Sequence, residues 1–457
     1  MAFGLCANAA LKPNIVFILA DDMGSYDVGW RGSKIKTPNL DRLCAQGAKL
    51  ENFYVQPVCS PTRSSLMTGR YPMRYGMQVG VIRPWAKYGL SLEERTLPQA
   101  LREAGYSTAM CGKWHLGSFE KAYWPNARGF DYWYGHLMGA LDYFTHIRDG
   151  KLDWYRNGEL NHDEGYSTFL VGEDAAKVIR NQPKDKPLFL YVPFNAVHDP
   201  LEVPAEYSKQ YSAMGGSRKT YAGMVTALDD MVGKIVAAVD ESGQRQNTLF
   251  IFASDNGGPA PHRITSNGPL RGGKFTLYEG GVHTCAFATW DGKIKPGSSV
   301  NALMHMVDWY PTLLKLGGAS LTQKLPLDGT DMWPSITEGK PSPRTEVLCN
   351  ASPSTGGIRV GDWKLVINGD KRDTDEEAPV TRGKTKPEHP ADKLELFNLA
   401  DDPSEKTNLA ESNPKKVKEL LKRYNSYASQ AVVPKNEKTA GAPAAVSRKS
   451  PVGRLGK

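Results

Sequence analysis

The sequence predicts an α/β protein: a doubly wound, mostly parallel sheet followed by a smaller C-terminal α+β domain. Three observations carry this. Short, nearly uninterrupted apolar runs recur from Asn14 to about Pro341, as strands buried on both faces read. Helical patterns lie between those runs. After "PSPR" (341–344) the pattern changes to short alternating segments and one amphipathic helix.

The first strand is "NIVFILA" (14–20). "TPNLDRLCAQG" opens on a threonine cap and a proline and stops at Gly47, so it reads as a helix. "LPQALREAG" is a second helix, ended by Gly105, and feeds the strand "YSTAMCG" (106–112). "LFLYVPF" (188–194) is the third strand. The long helical pattern "YAGMVTALDDMVGKIVAAVDESG" ends at Gly243 and leads into the fourth, "TLFIFA" (248–253). In the smaller domain "TEVLCN", "GIRVGDWKLVI" and "KLELFNL" read as antiparallel strands with a Gly-Asp turn. The stretch from Asp401 to Gln430 supplies a turn and a terminal amphipathic helix. The resulting division is 1–13 as a signal remnant or disordered start, 14–344 as the α/β domain, 345–433 as the small domain, and 434–457 as a basic disordered tail. No internal repeat is visible.

At 457 residues the chain exceeds what one core usually supports, in keeping with a large domain plus a small one. Hydrophobic residues at 40% and charged residues at 23% place it among ordinary globular proteins. No apolar run approaches the ~18 residues of a spanning helix. Of the net charge of +8, the segment from Pro434 to Lys457 carries +5, with six basic residues and one acid. Its Ala, Pro, Ser and Lys composition has no apolar period, hence the disordered assignment. The modestly basic remainder suits a polyanionic substrate and gives no reason to expect nucleic acid. The six cysteines (6, 44, 59, 111, 285, 349) form no C-x-x-C pair and are too sparse for a disulfide scaffold. "MAFGLCANA" ends in Ala7-Asn8-Ala9, an A-x-A cleavage box without a basic n-region, and reads as a trimmed export signal. The expected location is therefore periplasmic, extracellular or lysosome-like.

In an open parallel sheet, ligands bind beyond the carboxyl ends of the strands. Four strand exits deliver chemistry to that edge. "NIVFILA" is followed by Asp21-Asp22, "YSTAMCG" by Lys113 and His115, "LFLYVPF" by Asn195 and His198, and "TLFIFA" by Ser254 and then Asp255-Asn256-Gly257-Gly258. Asp21, Asp22, Asp255 and Asn256 offer only oxygen, a donor set suited to Ca²⁺ or Mg²⁺ rather than zinc. Crowded carboxylates repel unless a cation sits among them. Singly, Asp-Asp and Asp-Asn-Gly are turn and cap sequences, and Lys113, His115, His198 and Lys274 are surface or packed side chains; together, on like strands, they point to a metal-assisted site.

Cys59 opens "CSPTRSSLMTGR". Pro61 fits a first helical turn and Gly69 a helix end, so Cys59 lies at a helix N-terminus, where amides and dipole favour an anion. A thiol there is expected to have a lowered pKa and to be a candidate nucleophile. A buried structural cysteine is the ordinary alternative.

Cys59-x-Pro61-x-Arg63, with Leu66-x-Thr68-Gly69-Arg70, resembles the signature of the type I sulfatases. "ADDMG", "GKWHLG", "AVHDP", "SDNGG" and "LRGGKFTLYEGGV" match the same family in order, and the likeness spans about Asn14 to Leu409. "RGFDYWYGHLMGALDYFTH" and "HMVDWYPTLLKLGG" bring it closest to the arylsulfatase B branch, the N-acetylgalactosamine-4-sulfatases. The resemblance implies an alkaline-phosphatase-like fold and conversion of Cys59, by a maturation enzyme, to the aldehyde formylglycine. The hydrated aldehyde has two hydroxyls on one carbon: one attacks sulfur, and the other lets the sulfate leave as the aldehyde re-forms, splitting one hard step into two.

The resemblance further implies that Asp21, Asp22, residue 59, Asp255 and Asn256 bind one Ca²⁺ that orients the sulfate. Arg63 and Lys113 would hold the hydrated aldehyde, and Lys113 with Lys274 would grip sulfate oxygens. His198, with Lys274, would protonate the leaving oxygen, and His115 would take the proton that drives sulfate release. The substrate implied is a sulfated carbohydrate, a galactosamine- or galactose-type 4-sulfate of a glycosaminoglycan or algal galactan. His262, Arg263, Asn267 and His305 are the candidate pocket-rim residues. Three rivals remain at this point: a phosphate or phosphonate ester hydrolase of the same superfamily, an inactive protein that binds sulfated glycans, and a thiol hydrolase that uses Cys59 unmodified.

Overall fold

The computed structural model describes residues 12–369 and 393–435. At its centre five parallel strands lie side by side in the order Thr248–Ser254, Asn14–Ala20, Leu188–Pro193, Ser107–Lys113 and Tyr132–His136. Shorter strands extend this to ten: Ala286–Thr289, Ala48–Leu50 and Ser298–Val300 on one side, Tyr155–Arg156 and Glu159–Leu160 on the other.

The strand Asn14–Ala20 shows why an apolar run without alternation was needed. Its side chains alternate between the sheet's faces, and both faces are covered. Val16, Ile18 and Ala20 enter one core beneath the helices Pro38–Ala45, Ser167–Asn181 and Gly216–Glu241. Ile15, Phe17 and Leu19 enter the other, beneath Cys59–Thr68, Leu97–Glu103 and Trp309–Leu316. This is the doubly wound arrangement expected from the sequence. Because the five central strands run parallel, their carboxyl ends share one edge.

The C-terminal strands Glu346–Ala351, Gly356–Val360, Trp363–Ile367 and Leu394–Asn398 form an antiparallel meander, with the expected turn at Gly361-Asp362. One face packs under the helix Pro414–Ala428 through Ile358, Leu365, Leu396, Leu420 and Tyr424. The other, through Val347, Cys349, Val366 and Phe397, packs on Tyr54, Leu277, Tyr278 and Val282 of the main body. At this seam the buried Lys364 ammonium bridges Glu279 (2.8 Å) and Glu405 (2.9 Å). The small sheet is thereby tied to the segment that carries Lys274.

Lys435, placed by the sequence reading in the tail, is held by the body: it donates from its backbone N–H to the Gly76 carbonyl (2.7 Å) and from Nζ to that of Gly89 (3.1 Å). The rest of the tail, and the proposed signal remnant up to Leu11, lie outside the described residues. Among the described residues no helix is long and apolar enough to cross a membrane. Cys44, Cys59, Cys111, Cys285 and Cys349 are all buried and unpaired as disulfides.

Candidate active site

The four exits meet as expected. Asp21 and Asp22 follow the first strand, Lys113 ends the Ser107–Lys113 strand, and Asp255-Asn256 follow Thr248–Ser254. Asp22 (φ 61°) and His115 (φ 58°) sit in the left-handed region, where side-chain-bearing residues are strained, and such strain clusters at functional sites. Ser254 latches two exits together, its Oγ accepting from Met23 N–H (3.1 Å) and donating to the Asn256 carbonyl (2.9 Å).

Cys59 is the first residue of the helix Cys59–Thr68, which ends at Gly69 with φ 66°. The helix is buried along its whole length. It delivers Arg63, one turn on, to the floor of the site. The Arg63 guanidinium donates to Asp255 Oδ2 from Nε (3.1 Å) and Nη2 (2.8 Å), to Asp21 Oδ2 from Nη2 (3.1 Å), and to the Lys113 carbonyl from Nη1 (2.9 Å). Lys113 Nζ bonds Asp21 Oδ2, and Lys274 Nζ bonds Asp22 Oδ2 at 2.7 Å. Three buried carboxylates are thus interleaved with three buried cations, so their crowding does not by itself demand a metal ion.

The Cys59 thiol departs from expectation. Its Sγ lies 3.6 Å from Asp21 Oδ1. Burial, then the Asp21 charge, push its pKa up, outweighing Lys113 and Lys274. The helix N-terminus does not activate it, so an unmodified Cys59 is a poor nucleophile. Burial also pushes the Asp21 carboxyl up, but Lys113, then Arg63, outweigh it and hold that carboxyl well below the usual range. Asp255 goes the other way, raised by burial and by the Asp21 charge.

The histidines have defined tautomers. His115 Nε2 lies 3.0 Å from the Ile82 carbonyl, which only accepts, so Nε2 carries the hydrogen. Its Nδ1 is then an unprotonated base, buried and without a hydrogen-bond partner among the described residues. Burial, then Lys113 and Arg63, hold the ring's pKa well below the usual histidine value. Gly139 walls the ring: a Cβ there would stand 2.5 Å from His115 Cε1. His198 Nδ1 faces the Asp199 carbonyl at 2.6 Å, so its Nε2 accepts, here from Lys274 Nζ at 3.1 Å. Gly257 is equally constrained, since a Cβ would stand 1.7 Å from the Gly280 carbonyl oxygen. That contact presses the Asp255-Asn256 turn onto the Lys274 segment.

The oxygens of Asp21, Asp22 and Asn256 fit a hard cation; the Cys59 sulfur and the His198 ring nitrogen beside them are softer donors. Ligand atoms of Asp21, Asp22, Cys59 and His198 lie within 4.8 Å of one another. Asn256 Nδ2 donates to Asp22 Oδ1 (2.7 Å), leaving Asn256 Oδ1 buried with no partner among the described residues, an oxygen that a cation would satisfy. Asp255 stands aside from that group, with Oδ2 shared by Arg63 and Oδ1 accepting from Asp22 N–H (3.2 Å). His198 was expected as an acid and joins the group.

The rim candidates fare unevenly. His262 and Arg263 are exposed on a loop beside the site. Asn267 is buried and braces that loop internally, accepting from Gly258 N–H (3.0 Å) and donating to the Gly258 (3.0 Å) and Gly272 (3.1 Å) carbonyls. His305 is fully buried, with Nδ1 accepting from Val307 N–H (3.2 Å) at a helix start. Both brace the fold through these bonds; their polarity gave no hint of that. Sequence reading missed Tyr143, whose hydroxyl donates to the carbonyls of Asn195 and His198 (both 2.8 Å) and fixes the His198 loop. It also missed Ser60, whose Oγ donates to the His115 carbonyl (3.0 Å). Neither carries a signal visible in an isolated sequence.

A family model described as Sulfatase matches residues 13–319. Arylsulfatase J of Mus musculus is 38% identical over 466 residues, covering 92% of this chain and 76% of its own length. N-acetylgalactosamine-6-sulfatase of Rattus norvegicus is 35% identical over 361 residues, covering 73% and 68%. Among solved structures, Ps i-CgsB in complex with k-i-k-neocarrahexaose superposes with a TM-score of 0.82 at 31% identity, covering 94% of this chain and 96% of its own. The two named sulfatases agree on the family, and only one of them names its sugar.

Proposed function

The chain belongs to the sulfatase family and is a sulfuric ester hydrolase; on that premise we propose that it desulfates a carbohydrate with a formylglycine made from Cys59 and one Ca²⁺. The observation that carries the proposal is Cys59 itself. It opens the helix that carries Pro61 and Arg63, at the C-x-P-x-R signature, with its sulfur beside Asp21 and with Arg63, Lys113 and Lys274 around the same carboxylate cluster.

The converted residue supplies a geminal diol nucleophile, and Ca²⁺ supplies orientation and charge neutralisation for the sulfate oxygens. Asp21, Asp22, Asp255, Asn256 and residue 59 would hold the ion, with His198 beside them. Arg63 is fixed by four hydrogen bonds and stands ready to orient residue 59. Lys113 and Lys274 face the same residue as preorganised cations for sulfate oxygens. Lys274 is protonated, because Asp22 and its other anionic neighbours outweigh the effect of burial. Its proton can pass to the leaving oxygen directly or through His198 Nε2. His115 Nδ1, unprotonated and unpartnered, is placed to accept a proton when sulfate departs.

The sugar reading draws on the relatives: one names N-acetylgalactosamine, and one was solved with a neocarrahexaose. The 4-position rests on the motif resemblance to the arylsulfatase B branch. The same reading makes a formylglycine-generating enzyme a partner and places the protein outside the cytoplasm.

Rates on 4-nitrophenyl sulfate and 4-nitrophenyl phosphate test the reaction class. Faster hydrolysis of the sulfate is expected; faster hydrolysis of the phosphate would overturn it. A second expectation concerns the proton. Lys274→Ala is expected to cost roughly 10²–10⁴-fold in kcat on a saccharide sulfate. The loss on 4-nitrophenyl sulfate should be much smaller, since nitrophenolate leaves without protonation. Equal losses would assign Lys274 to gripping sulfate alone.

A further inference from the structure

His115 keeps a left-handed backbone (φ 58°) that costs energy, so its surroundings must hold it there. On one side it is tied to the start of the Cys59 helix and the loop beside it. Its carbonyl accepts from Ser60 Oγ (3.0 Å), and its Nε2 donates to the Ile82 carbonyl (3.0 Å). On the other side it is tied to the segment that leaves the neighbouring strand Tyr132–His136. Its N–H donates to the Leu137 carbonyl (3.0 Å), as the Trp114 N–H does to that of His136 (2.9 Å). Gly139 of the same segment lies against the ring. The atoms that a Cβ there would meet first, at 2.5, 2.6 and 3.2 Å, all belong to the His115 imidazole.

Segment 137–139 is irregular chain, so its amides need acceptors from elsewhere. A single side chain serves two of them. The buried Asp153 carboxylate accepts from the Leu137 N–H through Oδ1 (3.1 Å) and from the Met138 N–H through Oδ2 (2.8 Å). Among the described residues these two amides are its hydrogen-bond partners. His136 Nδ1 stands 3.9 Å from Asp153 Oδ2, beyond hydrogen-bond distance, and its ring is stacked on Trp154 at an interplanar angle of 13°. Burial, then Lys113 and Arg63, hold that ring well below the usual histidine value, so it offers the carboxylate no positive charge. Burying a carboxylate is costly. One that spends its bonds on two consecutive amides fixes backbone, and the backbone it fixes carries both the anchor of His115 and the wall of its ring.

We propose that Asp153 is a positioning residue for sulfate release: by clamping segment 137–139 it holds the His115 ring where Nδ1 can take the proton. This rests on the desulfation reading and deepens it, because His115 acts there after the alcohol has left. Loss of the clamp should slow that second half of the reaction and leave the first, attack on sulfur, as it was.

The test uses the matured enzyme and 4-nitrophenyl sulfate, at steady state and by stopped flow. Asp153→Asn keeps the side chain's size and one acceptor but sets an amide donor against one of the two N–H groups. It should lower kcat by about ten- to a hundredfold, the scale of a slightly misplaced catalytic group. KM should fall in step, leaving kcat/KM unchanged, and a stoichiometric burst of 4-nitrophenol should precede the slow phase. Gly139→Ala leaves the clamp intact and crowds the ring; it should show the same split and the same burst, and it decides the matter should Asp153→Asn fail to fold. In a His115→Ala background neither change should slow turnover further, because the group they position is gone. The proposal is overturned if both variants turn over as the wild type does, if kcat/KM falls with no burst, or if either change slows the His115→Ala protein as much as it slows the wild type. A carboxylate that merely stabilises the fold would lower the urea midpoint and give the last of these results. A wild type that does not hydrolyse 4-nitrophenyl sulfate, or a His115→Ala protein that hydrolyses it at the wild-type rate, would instead remove the reading of the site, and this proposal with it.

Discussion

Cys59→Ala is expected to abolish aryl sulfate hydrolysis, by on the order of 10⁴–10⁶-fold, the scale of losing a covalent nucleophile. The fold should be retained. The side chain is small, and among the described residues the hydrogen-bond contact of its sulfur is the 3.6 Å approach to Asp21. Cys59→Ser is the more informative change. A serine hydroxyl can attack sulfur once, but it has no second hydroxyl on the same carbon to expel the sulfate. Mass spectrometry should then find the Cys59→Ser protein heavier by one SO₃ at that side chain after incubation with substrate, with no multiple turnover. Wild-type protein made without the maturation enzyme should be as inactive as the alanine variant, because burial and Asp21 keep its thiol protonated. Full activity from protein with an intact thiol at position 59 would defeat the reading of this site.

Why the thiol expectation failed is instructive. From sequence, the helix N-terminus at Cys59 was visible through Pro61 and Gly69, and its dipole argued for a stabilised anion. The sequence could not show that the helix is buried throughout, or that Asp21 arrives beside the sulfur from a strand 38 residues earlier. Desolvation and one nearby charge outweigh a dipole worth ~0.3–2 kcal/mol. The strand exits were legible for the opposite reason. Parallel strands buried on both faces write themselves as apolar runs, and the fold rule that ligands gather at their carboxyl ends needs no side-chain detail. The flanking strands were less visible because Ala48–Leu50 and Tyr155–Arg156 are too short to set up a period. The small meander was read correctly from its alternation and its Gly-Asp turn. Asn267 and His305 were read as rim candidates, and both turn out to brace the fold, because a polar side chain that braces a loop and one that meets a ligand look alike until their partners are known.

Asp21→Ala is expected to be the most damaging change to the site's architecture. Asp21 is fully buried and accepts from both Arg63 and Lys113, which are themselves without exposure. Arg63 keeps Asp255 and the Lys113 carbonyl as partners, but Lys113 loses the only ion pair it makes among the described residues. Removing one partner of a buried pair costs about 3–5 kcal/mol, because the other charge stays desolvated. The urea midpoint should fall accordingly, and sulfate hydrolysis should be lost. The sign of the pH dependence follows from the depressed carboxyl pKa. The contribution of Asp21 is fully present above the ordinary aspartate range and fades as pH drops through that range toward the folded-state value. The stability gap between wild type and variant should therefore be widest near neutrality and narrow in acid. Metal is the second readout. Saturating Ca²⁺ should raise the wild-type melting temperature and chelator should lower it, because a ligand of the native state stabilises it by mass action. Asp21→Ala should show neither shift. A variant as stable as the wild type, with an undiminished response to Ca²⁺, would place the ion elsewhere and leave Asp21 as a partner of Arg63 and Lys113 alone.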